Sequence, residues 1–214
     1  MKKLIAMLLA LVLTMGLVAC GNTNNTETTP STTEAATEDT VLESGATGDE
    51  TLAPVEVPEP NEATKVLSAI WAAVEGEKFF AMGGDMNSMV SDDAGNYSLE
   101  DEGLTATLYV PADQIANLDQ ASSLVHGMLL NNFTCGVFHM AEGADAAAFA
   151  DAMKESISNA QWICGTPEKL VIAIIDGEYV LAAFGINDAI APFETALSTV
   201  YADAELKYSE AITG

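Results

Sequence analysis

The amino-acid sequence predicts an α+β domain over residues 63–214, a mostly antiparallel sheet with helices packed on one face. Three observations carry this. Apolar residues recur at helical spacing in several segments, Asp176-Gly177 separates two short apolar runs, and no βαβ alternation with a phosphate-binding glycine loop is present.

In chain order, Asn61 caps a first helix whose apolar residues are Val66, Leu67, Ile70, Trp71 and Val74, with Gly76 suiting its end. Phe79 to Asp93 is ambiguous. Tyr97–Leu99 and Leu104–Val110 read as a hairpin around Asp101-Glu102-Gly103. Pro111 opens a helical stretch with Ala121, Leu124, Val125, Met128 and Leu129 as its apolar stripe, broken at Asn131-Asn132. A strand is expected from Phe133 to Met140, then a helix capped by Asp145 with Phe149, Ala150, Met153 and Ile157 on one face. Leu170–Ile175 and Tyr179–Phe184 form the clearest hairpin, because Asp176-Gly177 supplies the positive φ values of a two-residue type I′ turn. A last helix covers Asn187 to Tyr201, with Pro192 tolerable only near its first turn, and Glu205–Ser209 adds an edge strand.

The chain opens differently. Lys2 and Lys3 precede an apolar run from Leu4 to Leu17, too short to span a bilayer, which takes about 20 residues. Leu17-Val18-Ala19-Cys20 follows and resembles the lipobox of bacterial lipoproteins. The resemblance implies a signal peptide over 1–19, cleavage before Cys20, and diacylglycerol on that thiol as the one attached group, no other cofactor being expected. The address is then the outer face of the cell membrane, with a secreted protein bearing a free Cys20 as the alternative. Residues 20–62 carry ten carboxylates, no basic residue and almost no large apolar side chain, and are expected to form a disordered acidic tether.

Charge narrows the partners. The chain has 32 acidic residues against 7 lysines, no arginine and a net charge of −25. Nucleic acids, nucleotides and anionic lipid head groups, which are gripped by Lys and Arg, are therefore poor candidate partners. An envelope protein, a peptide or a wall component remains open, besides the membrane itself through the lipid.

Candidate chemistry is sparse. Cys135 and Cys164 are candidates for a disulfide, with two independent buried thiols the favoured alternative. Cys135 and His139 suggest a nucleophile and its base, but on one strand they stand about 13 Å apart, beyond hydrogen-bond reach. His126 is expected at the edge of a helix's apolar stripe. Met82, Met86 and Met89 are spaced as one helix face and could hold Cu(I), although such methionines are more often core filler. Asp92, Asp93, Asn96, Glu100, Asp101 and Glu102 could attract Ca²⁺, but the EF-hand spacing fails at Tyr97 and Gly103. No catalytic motif is present.

Finally, the helix Asp145–Ile157, Gln161-Trp162, Thr166-Pro167-Glu168 and the strand Gly177-Glu178-Tyr179-Val180-Leu181 resemble a group of uncharacterised Firmicutes lipoproteins carrying a domain of unknown function. The similar stretch, Glu142 to Leu197, is about a quarter of the chain. It implies the same address and fold class and transfers no functional residue. The expectation is a membrane-anchored, non-enzymatic binding or accessory domain, with a copper- or calcium-binding lipoprotein and a hydrolase with an unrecognised site as alternatives.

Overall fold

The computed structural model describes residues 58–163 and 165–213. The signal peptide, Cys20, the tether up to Val57, and Cys164 lie outside the described residues. Asn61 caps α1 (Glu62–Ala73) as expected, its side chain accepting from the Thr64 N–H at 2.8 Å. Three short strands follow, β1 (Ala81–Gly83), β2 (Val90–Ser91) and β3 (Gly95–Tyr97), then a single turn of helix, α2 (Gly103–Ala106). A 3-10 turn at Ala112–Asn117 leads into β4 (Leu118–His126), and β5 (Phe133–Met140) returns beside it. The remainder is α3 (Ala146–Ser158), β6 (Lys169–Ile175), β7 (Tyr179–Gly185), α4 (Asn187–Val200) and β8 (Glu205–Ala211).

All eight strands join one antiparallel sheet in the order β2-β1-β4-β5-β7-β6-β8, with β3 also paired to β4. The α+β class is thus the observed one. The helices occupy both faces, however. Phe133, Cys135, Val137, Val171, Ala173, Leu181 and Ala183 point to α1 and α4, while Phe138, Met140, Leu170, Ile172, Val180, Ala182 and Phe184 point to α3. Because β5, β6 and β7 are covered twice, they read as nearly continuous apolar runs, and alternation could not reveal a second helical layer.

Two expected elements are corrected. The helix over Pro111–Leu129 is a 3-10 turn followed by β4. Ala121 and Leu124 are both buried, but on opposite faces of the sheet, one in each core. Their spacing of three imitates a helix. Ser122 and Ser123, also buried between them, pay out their hydroxyls to the Ala63 carbonyl (3.1 Å) and the Gly84 carbonyl (3.2 Å). The hairpin around Asp101-Glu102-Gly103 is absent as well. β3 pairs with β4 instead, and the Asp101 carboxylate accepts from the Gly103 N–H at 2.7 Å to start α2, which buries Leu104.

The hairpin of β6 and β7 stands, with a small difference. Asp176 and Gly177 have φ of 53° and 76°, and the Glu178 N–H donates to the Ile175 carbonyl, but Glu178 is an extra residue before Tyr179, which pairs with Ile175. Pro192 lies in the second turn of α4, beyond the first turn expected for it. The carbonyl it deprives of a donor is that of Asp188, an exposed residue.

Short strands β1 and β3 lie end to end along the same edge of β4, opposite Leu124–His126 and Ala121–Ser123. They can abut only because Gly83 and Gly95 face each other. A Cβ on Gly83 would lie 2.3 Å from the Gly95 nitrogen and the Asp93 carbonyl oxygen.

Candidate functional site

Cys135 is a free, fully buried thiol on β5, and burial pushes its pKa well above the ordinary value. It is therefore held as an uncharged thiol, the unreactive form. His139 shares its strand, so the four-residue separation along β5 stands and the nucleophile–base pair does not form. A bulge in β4 between Leu118 and Gln120 instead brings Asp119 to His139, with Oδ1 2.5 Å from Nδ1, and Glu178 lies 4.0 Å from Nε2. The carboxylate orients the imidazole, as one would in a catalytic site. Its further neighbour is the Tyr179 ring at 4.7 Å, and the hydrogen bonds of this pair supply no nucleophile.

Met82, Met86 and Met89 do not share a helix. Met82 lies on β1, Met86 is 82% exposed in the turn before β2, and Met89 precedes β2. The copper reading loses the helix face on which it rested, because Gly83 and Gly84 take strand and turn conformations there. Three members of the acidic patch are already committed. Asn96 Oδ1 accepts from the Asn61 N–H and the Thr64 hydroxyl, Asp93 accepts from the Ala94 N–H, and Asp101 from the Gly103 N–H. Among the described residues no group of three His, Cys, Asp or Glu side chains is placed to hold a metal ion.

Asp85, which composition did not single out, is the buried carboxylate of this edge. Oδ1 accepts from the N–H groups of Asn87 (2.8 Å) and Ser88 (3.0 Å) and from the Ser88 hydroxyl, and Oδ2 accepts from the Ser98 N–H (2.8 Å). Burial pushes its pKa up, but these hydrogen bonds outweigh that and hold it below the usual carboxylate range. It fastens the loop between β1 and β3. Beside it a cavity of about 210 Å³ lies under Pro58–Pro60, where Thr64, Ser88 and Asn96 already bond one another.

At the other end of β4 the chain does something different. His126 stacks on Phe79 with ring centroids 5.0 Å apart, and its Nδ1 accepts from the N–H groups of Met128 (3.2 Å) and Leu129 (3.3 Å). The loop so held turns Met128 (81% exposed), Leu129 (54%) and Leu130 (47%) outward. Phe80 lies against Gly127, and Ile163 (80% exposed) stands across a cleft of about 330 Å³ floored by Asn131 and Asn132. The Asn131 amide spans that cleft, donating to the carbonyls of Ile163 (2.8 Å) and Gly165 (2.6 Å). Met128 and Leu129, expected within a buried helical stripe, are instead the most prominent apolar surface. A signal for it was present in two charge-free runs, residues 120–141 and 156–167, within a strongly acidic chain.

Comparison of the chain with family models, with curated proteins and with solved structures finds no match. What its own geometry defines is a class: an α+β domain built on an eight-stranded antiparallel sheet, with an apolar tip at one end.

Proposed function

We propose that this protein is an exported lipoprotein, cleaved before Cys20 and anchored by diacylglycerol at the outer face of a bacterial membrane, whose domain works by binding rather than by catalysis. The address rests on Lys2, Lys3, the apolar run and Leu17-Val18-Ala19-Cys20. The binding role rests on one observation, the exposed apolar tip of Phe80, Met128, Leu129, Leu130 and Ile163. Isolated exposed apolar side chains are ordinary, whereas a contiguous group marks a contact surface. The buried Cys135 and the committed carboxylates of the β1–β3 edge are consistent with a domain that makes contacts and does no chemistry.

Metabolic labelling with an alkyne fatty acid tests the anchor. Wild-type chain is expected to take the label and to sediment with membranes, and Cys20→Ala to lose both; equal labelling of the two forms would refute it. A screen with generic ester, peptide and glycoside substrates tests the second half. Turnover that disappears on substituting Asp119 or His139 would replace a binding domain with a hydrolase.

A further inference from the structure

The tip combines three properties that exposed loops rarely share. Its side chains are apolar, the two segments that supply four of its five side chains carry no Asp, Glu or Lys, and several of its backbone groups are hydrogen-bonded within the chain. The Gly127 N–H donates to the Phe80 carbonyl, those of Met128 and Leu129 to His126, and that of Asn132 to the Leu129 carbonyl. On the acceptor side, the Leu130 carbonyl takes the Thr134 hydroxyl, the Asn132 carbonyl takes the Ile186 N–H, and those of Ile163 and Gly165 take the Asn131 amide. A loop in water has no need to satisfy these groups internally. A loop entering hydrocarbon does, because an unpaired N–H or carbonyl there costs several kcal/mol.

We propose that this tip is a wedge that inserts shallowly into the headgroup and upper acyl region of a bilayer whose lipids are zwitterionic or uncharged. The inference rests on the anchored reading above, since the anchor supplies the membrane at high local concentration. The charge of the chain selects the lipid. Cut before Cys20, the chain keeps 32 acidic residues against five lysines and is repelled by anionic headgroups, whereas the tip segments around Met128–Leu130 and Ile163, which carry no Asp, Glu or Lys, can approach a neutral surface without desolvating a carboxylate.

Reach and area agree with this occupant. Glu62 and Ala63, just inside the chain entry, bond Gln120 at one end of β4, and the tip follows His126 about 20 Å away. The residues from Cys20 to Val57 could span up to about 130 Å, ample for a domain about 40 Å across to turn its far end onto the same bilayer. The five side chains expose roughly 600 Å² between them, short of the ~800 Å² per partner that a stable protein interface buries. A wedge assisted by an anchor needs no such area.

Trp162 adjoins Ile163 and packs on Tyr109 and Phe184, whereas Trp71 is buried on the inner face of α1, so tryptophan quenching reads the tip. The full chain is mixed with phosphatidylcholine vesicles, plain or brominated along the acyl chains. Its fluorescence is expected to fall by at least a quarter in the brominated vesicles, and Met128→Glu with Leu129→Glu is expected to abolish the fall at equal flotation. Both positions are exposed, so near-ultraviolet circular dichroism should show the variant folded. Unquenched wild type that still floats would overturn the wedge. So would equal quenching of the variant, or a vesicle-free dimer, seen by sedimentation, that the variant dissociates. Quenching that persists in Cys20→Ala while wild type takes no fatty-acid label would sink the anchor and leave the wedge standing.

Discussion

One sheet contains two kinds of construction. In β5, β7 and β6 the ladders run seven residues without a break, both faces are apolar, and helices cover them. Along the outer edge of β4, strands of three, two and three residues are held by side-chain-to-backbone hydrogen bonds and by glycines that make room for each other. Register in the first region is set by which side chains are buried, since a slip of one residue would turn an apolar face outward. In the second it is set by Asp85, Asn96 and Ser123, and by the missing side chains of Gly83 and Gly95. The same hydrogen-bonded ladder can thus be specified by hydrophobic surface or by polar clamps, and the two should fail differently.

The largest effect belongs to the apolar region. Phe133 is fully buried between Phe79 and Phe193, with ring centroids 5.0 and 5.1 Å away, so Phe133→Ala should cost about 3–5 kcal/mol in urea unfolding. A loss below ~1 kcal/mol would show that the two regions do not differ in what supports them. Next comes Gly83→Ala, whose Cβ meets backbone atoms that cannot move aside cheaply; about 2–3 kcal/mol is expected, with hydrogen exchange quickening first in residues 81–97.

Asp85→Asn should cost less, about 1–2 kcal/mol, because one clamp oxygen is lost and the loop is near solvent. Its mark is in pH. The Asp85 carboxyl is held below its ordinary value in the folded state, so its contribution is present above the usual carboxylate range near 4 and is lost as pH falls through the lower, folded-state value. Wild type should therefore lose stability below about pH 4 more steeply than Asp85→Asn, and parallel acid profiles would contradict the clamp. Smallest of all, Leu129→Ser at the exposed tip should change stability by no more than about 0.5 kcal/mol while weakening vesicle binding.

The same contrast explains what could be read from the chain alone. α1 announced itself through Asn61 and its stripe, α3 through Asp145, and the β6–β7 hairpin through Asp176-Gly177, because each carries its own cap or turn chemistry. β4 was misread because it is buried on both faces and its apolar residues belong to two cores, so no single period describes it. β1, β2 and β3 are too short for any period, and the partners of Asp85 and Asn96 are fixed only once the sheet exists. Two of the tip's segments are charge-free in an acidic chain, but this did not mark them as surface, because their exposure depends on His126 ending a strand where a helix was expected.

Cys135 gives this protein a built-in clock. The thiol sits in the middle of the sheet, under α1 and α4, with no exposed surface. A reagent in solution meets it only when α1 and α4 lift from the sheet or β5 leaves its neighbours, so the rate at which that sulfur becomes alkylated counts openings of this central core. Looser motions of the β1–β3 edge or the tip pass unrecorded. One side chain thereby separates the breathing of the margins from the unfolding of the centre.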